Sequence, residues 1–309
     1  MSPMPGFLRS TTFLAILSCL LWSSAFPGIK IGLQYTPPLQ FAGLRFMASG
    51  LMILPFCGSF SLYLKNIKEN GGIVILVALF QTTLTYTLLY QGMNMLPSAI
   101  AAIITGSQPL IIAVMAHFVA RSERMTSRRI ISILLGFSGV TIIALTRGEI
   151  TLSGTSQFLG LLLLLLSNAS SGIGNILVSR SKSPLPPLVL TSSQLFLGGF
   201  IIFLCSIPVE GPPKGPLPGI YYLSLLWLSF LSALAFSIWF ILLKRKGVGV
   251  ADLNLWLFLI PVAGACLSWI VFPGESPELF SVLGMVCIAL ALLILNIGKR
   301  AQRHYSIYR

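Results

Sequence analysis

Residues Thr155–Val178 read TSQFLGLLLLLLSNASSGIGNILV, and the two parts of this stretch decide the fold. Leu161–Leu166 is an unbroken leucine run, with none of the in-and-out alternation of a membrane β-strand. Directly after it, Ser167, Asn168, Ser170, Ser171 and Asn175 place polar groups inside the same apolar segment. The whole chain has the character of its leucine run: 309 residues, 55% hydrophobic and only 9% charged. Soluble proteins carry roughly 25% charged residues, and a mean hydropathy of +0.91 is too high for a water-facing surface. Lipid is then the solvent. Backbone groups there have no water to bond, so only helices or closed barrels can span, and continuous apolar runs select helices.

A span needs about 20 mainly apolar residues to cross about 30 Å of hydrocarbon. Ten such segments are expected, near 11–32, 38–62, 72–93, 97–119, 127–146, 155–178, 186–208, 218–243, 250–272 and 278–297. The connectors are too short for a separate soluble domain. A net charge of +13 would suggest nucleic acid in a soluble protein. Here the basic residues sit in short groups between apolar runs and report topology instead, so no nucleic-acid partner is expected. With ten spans and a cytoplasmic amino terminus, sixteen of the twenty Lys and Arg residues fall on the cytoplasmic side, while Arg147 and Lys214 fall outside. Both termini are then cytoplasmic, and the tail Lys299–Arg309 reads as an anchor at anionic headgroups. The first apolar run continues into Trp22 and Lys30 and reads as a retained span rather than a cleaved signal. The five cysteines lie inside apolar runs without a CxxC pair, which fits packing and implies neither disulfides nor metal.

The chain also repeats itself. The fourth and ninth spans each hold a central proline, followed 14 residues later by a glutamate: Pro109 with Glu123, and Pro261 with Glu275. Both pairs are offset by 152 residues, about half the chain. The third and eighth spans share a smaller likeness, Tyr86 and Tyr90 against Phe236 and Phe240. Five spans per half is an odd number, so the second half must enter the membrane upside down. Two inverted five-helix repeats follow, 1–148 and 149–309, the second with the basic tail. Inverted repeats of this kind recur in secondary transporters.

These features resemble the drug/metabolite transporter superfamily, in particular its EamA family. The likeness rests on Leu21-Trp22-Ser23-Ser24-Ala25-Phe26, Leu44-Arg45-Phe46, Ser107-Gln108-Pro109 through Ser122-Glu123-Arg124, Gly136 and Gly139, and Ile260-Pro261 through Gly274-Glu275. It covers nearly the whole chain. It implies an exporter or exchanger of amino acids, other metabolites or toxic compounds, located in a bacterial inner membrane. One departure stands out: the second half lacks a tryptophan matching Trp22, with Ser167 and Asn168 near that place.

Charge inside the membrane is the sharpest functional signal. Arg45 lies about seven residues into the second span. It reads either as a fork for a carboxylate or phosphate or as a snorkelling or packing arginine. Lys30, near an outer end, suits snorkelling. Asp252 suits a helix cap, and His117 suits an interface. Glu123 and Glu275, at helix ends, suit pairing with basic neighbours or capping. No carboxylate lies at midspan, which argues for exchange or facilitated diffusion over proton antiport. Neutral polar residues complete the candidate cargo site: Trp22, Gln81, Tyr86, Tyr90, Gln108, Asn168, Ser171, Asn175 and Trp239, together with Arg45. Asn168, Ser171 and Asn175 share one helical face. Thr82, Tyr86 and Tyr90 form another stripe. The segment before Pro109 is expected to unwind locally, and Gly28, Gly172 and Gly174 are candidate flex points.

The expected function is therefore secondary transport of a small polar metabolite by alternating access, as export or exchange. No cofactor, metal or catalytic residue is expected, and the chain would act as a monomer or homodimer in the lipid bilayer. A membrane-embedded enzyme and a non-transporting partner subunit are the rivals. Two histidines and seven dispersed acids make a poor metal or proton cluster.

Overall fold

The computed structural model describes residues 10–96, 98–118, 125–145, 154–212, 215–271 and 279–307. Every regular element among these residues is helical. Nine helices are long and apolar enough to span: α1 (Thr11–Gly32), α2 (Pro38–Phe56), α3 (Gly71–Asn94), α4 (Ile100–Phe118), α5 (Ser127–Leu145), α6 (Thr155–Arg180), α7 (Pro187–Glu210), α8 (Gly219–Leu243) and α9 (Val250–Leu267). The tenth, α10, runs Leu279–Ile307, with a shorter apolar part at Leu279–Ile294. One expected boundary moves. The second span was expected to reach residue 62, but a 3-10 turn at Leu54–Phe56 ends it. Gly58 then takes φ +90, and Phe60–Glu69 forms a separate short helix with Tyr63 buried. Pro55 removes a donor, and Gly58 reaches the left-handed region without a Cβ penalty. Glu123 and Glu275, the ends of the repeated proline–glutamate spacing, lie outside the described residues, as do Arg121, Arg124, Arg147 and Lys214.

The helices group into two compact units that cut across the sequence halves. Unit 1 holds residues 1–91 and 170–248, and unit 2 holds 92–169 and 249–309.

In unit 1, α2 and α7 form the main packed pair. Each starts at a double proline, Pro37-Pro38 and Pro186-Pro187, and each starts its helix at the second of the two. They run antiparallel on small residues. A Cβ built on Gly43 would lie 2.8 Å from Phe203 N, whereas one on Gly50 would lie 2.6 Å from Ser192 O. The contact is reciprocal: a Cβ on Gly199 would lie 2.7 Å from Met47 N and 2.8 Å from Gly43 O. Glycine lets the two backbones touch, which replaces the missing hydrophobic force between helices in lipid. The Glu210 carboxylate at the end of α7 accepts from Leu39 N and Gln40 N, each at 2.9 Å, and so caps the start of α2. Gln40 Nε2 returns a bond to Gly211 O at 2.6 Å. α1 breaks at Ser24, where Pro27 can give no bond to Ser23 O. Trp227 Nε1 on α8 donates to the neighbouring Ser24 O at 3.5 Å.

Unit 2 uses the same device. α5 and α10 cross antiparallel at a glycine pair: a Cβ on Gly139 would lie 2.5 Å from Gly284 O, and one on Gly284 would lie 2.7 Å from Gly139 O. Both repeated prolines sit beside irregular turns. α4 is interrupted between Gly106 and Gln108, and a 3-10 turn at Leu255–Phe258 precedes Pro261. The local unwinding expected before Pro109 is therefore present. Ile104 O there accepts Asn168 Nδ2 at 2.7 Å. Asp252 does not cap α9, because Gly249 occupies the N-cap position. Asp252 lies in the first turn and pairs with Arg129 Nε at 2.7 Å, since a carboxylate half-buried at that depth needs a cation.

Candidate functional site

Most buried hydroxyls answer their own helix. Ser18, Ser23, Thr191, Ser193 and Ser229 donate to the carbonyls of Leu14, Cys19, Pro187, Val189 and Leu225 at 2.7–3.0 Å, four residues back. Back-bonding of this kind satisfies a serine in lipid and implies no ligand. The residues that do not close on themselves stand apart, and those in unit 1 form two patches.

Arg45 is 4% exposed and, among the described residues, is the one fully buried charged side chain. Its Cζ sits 4.4 Å from the Phe46 ring centroid and 5.5 Å from that of Tyr86. Nε and Nη1 have no hydrogen-bond partner among the described residues. The two carboxylates of unit 1 are used elsewhere: Glu210 caps α2, and Glu69 pairs with Lys65 at 3.8 Å on the surface. Ring faces attract a cation by about 0.5–2 kcal/mol, far less than a buried charge needs. From Phe46 an aromatic chain continues through Phe236 (6.4 Å) to Trp22 (5.4 Å from Phe236) and Trp239 (5.1 Å from Trp22). Trp239 Nε1 donates to Asn175 Oδ1 at 3.3 Å, while the Trp22 Nε1 is buried without a partner among the described residues.

A second patch surrounds a π-helical segment of α3, Ala78–Leu84. The wide turn frees Phe80 O, which accepts Ser170 Oγ at 2.7 Å and Thr85 Oγ1 at 2.6 Å. Thr82 Oγ1 donates to Gln194 Oε1 at 2.6 Å on α7. Gln194 Nε2 and Gln81 Oε1 have no partner among the described residues. Gln81 lies so close to Gly174 that a Cβ there would strike its Oε1. Gly174, expected to flex, is instead a packing glycine in a continuous α6. Segments of this kind mark functional positions in helices.

Eight of the ten candidate residues lie in unit 1: Trp22, Arg45, Gln81, Tyr86, Tyr90, Ser171, Asn175 and Trp239. Contacts link Trp22, Trp239 and Asn175, and link Arg45 to Tyr86. Gln81, Tyr90 and Ser171 are buried. Gln108 and Asn168 belong to unit 2, where Asn168 bonds α4 and Gln108 is half-buried. The sequence reading passed over Phe46, Phe236 and Gln194 as site residues. The double prolines carry the missed signal: counted from them, Gln194 holds the place in α7 that Arg45 holds in α2.

Nine helices long and apolar enough to cross a membrane, with buried polar groups left unsatisfied among the described residues, fit a multi-span membrane protein. The chain belongs to the EamA-like transporter family, which matches residues 9–145 and again 158–297. It is similar to the "Uncharacterized transporter YvbV" of Bacillus subtilis (strain 168), 28% identical over 97% of this chain and 95% of that one. It is also similar to a "Probable amino-acid metabolite efflux pump" of Salmonella typhimurium (strain LT2), 30% identical over 96% of this chain and 97% of the relative. A solved protein structure matches with a TM-score of 0.76 at 18% identity, over 95% of this chain and 99% of that one, a likeness of fold.

Proposed function

We propose that this protein is a secondary transporter that exports or exchanges a small polar metabolite, an amino acid or a similar compound, by alternating access. The observation that carries the reading is the interior of unit 1. Among the described residues, Arg45, Gln81, Gln194 and Trp22 keep unpaired donors and acceptors there, inside helices whose outer faces are apolar. An unmet polar group in a dry interior costs free energy that a purely structural bundle would avoid with apolar side chains. A cargo that brings complementary groups removes that cost while it is bound. The Salmonella relative's name supports an amino-acid cargo. The halves 1–148 and 149–309 act as inverted repeats, and the cargo site opens to one membrane face at a time. Sixteen of the twenty Lys and Arg residues on one side support a bacterial inner-membrane orientation with both termini in the cytoplasm.

Counterflow into liposomes tests this. Vesicles holding the purified full chain and preloaded with unlabelled amino acids are expected to accumulate labelled amino acid transiently, and empty vesicles are not. Equal traces with and without protein, across amino acids, organic acids and amines, would remove the transporter reading in favour of a membrane-embedded enzyme or partner subunit.

A further inference from the structure

We infer that Arg45 and the rings around it form a subsite for a single carboxylate, so that the cargo is a monocarboxylate with an apolar or aromatic body. The inference rests on the transporter reading and narrows its substrate class. Three observations lead to it. The first is charge. Arg45 is a permanent cation at 4% exposure, and both carboxylates of its unit are committed elsewhere. An anion is the group that such a site lacks.

The second is shape. Phe46 lies 4.4 Å from Cζ and Tyr86 lies 5.5 Å away. Nε and Nη1, which lie on either side of Cδ, have no partner among the described residues, so two sides of the guanidinium keep a donor for a ligand. A carboxylate is an acceptor that such charged donors bind strongly. The third is stoichiometry. No second buried cation lies in unit 1 among the described residues. Lys244 donates to Ser183 O and Leu185 O, and Arg245 Nη1 to Thr11 Oγ1. A phosphate carrying about two charges would remain half-neutralised in low dielectric; a carboxylate would be fully matched. Trp22 adds a further unpaired donor, and the Phe236 and Trp239 rings beside it suit an apolar body.

The test uses the purified full chain and four probes that share one ring: phenylacetate, L-phenylalanine, phenethylamine and phenylalaninamide. Intrinsic tryptophan fluorescence reports binding, because Trp22 and Trp239 stand within the cluster. The two carboxylates are expected to bind at least roughly 30-fold more tightly than the two probes without one, as a desolvated charge pair requires. Arg45→Gln is expected to erase that preference, and Arg45→Lys to keep part of it. The wild-type comparison needs no variant to fold. Equal binding of amines and carboxylates, binding of none of the carboxylates, or an unchanged preference in Arg45→Gln overturns the subsite. The same probes in the liposome assay separate the two readings. An amine that moves while no carboxylate does leaves the transporter standing without this subsite. Movement of no compound at all sinks both.

Discussion

At the scale of single residues, polarity inside the membrane is a poor guide until its partner is known. Ser193 and Gln194 are neighbours on α7 and both are buried, yet they differ in consequence. Ser193 bonds back to Val189 O at 2.7 Å within its own helix. Gln194 depends on Thr82 of α3, at 2.6 Å, and its Nε2 has no partner among the described residues. Thr82→Val is therefore expected to destabilise the chain by about 1 kcal/mol, since it leaves a buried amide wholly unpaired. The double variant Thr82→Val with Gln194→Leu is expected to recover most of the loss, because removing both partners is nearly neutral. Unfolding of the purified protein in mixed micelles measures both. A double variant as weak as the sum of its singles would show that the two residues act independently. Arg45 belongs to this scale as well. Its position in the second span was legible from the sequence, but its lack of a counter-ion among the described residues of its unit was not, because Glu210 becomes the cap of α2 only when α2 and α7 lie side by side.

At the scale of elements, the antiparallel glycine contacts hold each unit together. Gly199 meets the backbone of α2 at 2.7–2.8 Å from where its Cβ would be, whereas nothing lies within 4 Å of a Cβ on Gly219. Gly199→Val is expected to lose about 1–3 kcal/mol or to prevent folding outright, as overpacking against rigid backbone does. Gly219→Ala is expected to fall within about 0.5 kcal/mol of the parent. Thermal unfolding of the two variants side by side checks this, and equal midpoints would show that α2 and α7 can part without cost. The elements also show where reading by periodicity stops. The stripe Thr82, Tyr86, Tyr90 assumes steps of one α-helical turn. The π-helical segment Ala78–Leu84 changes the step. Thr82 then serves α7, Gln81 serves α6, and Tyr86 lies beside Arg45 on α2.

At the scale of the whole molecule, the family matches the chain twice, over 9–145 and 158–297, while the packed units draw helices from both matches. A repeat is a unit of sequence; a packed unit is whatever set of helices buries surface together. The charge pattern makes a prediction at this scale: reporter tags at the amino and carboxyl ends are expected to signal the same, cytoplasmic compartment, and tags in opposite compartments would contradict the sixteen-to-two distribution of Lys and Arg. The solvent and the spanning segments were set by the sequence alone, because each is a sum over consecutive residues that no distant contact alters, and the duplication was legible there as a likeness between the two halves. The tertiary structure alone decided which polar groups are spent and which remain open. A serine closes on its own helix, a glutamine waits for a threonine more than a hundred residues away, and an arginine stays unmatched because the carboxylates of its unit cap a helix or pair at the surface. Those outcomes depend on which helix faces which, and in lipid that is settled by close backbone contact between small residues scattered along the chain.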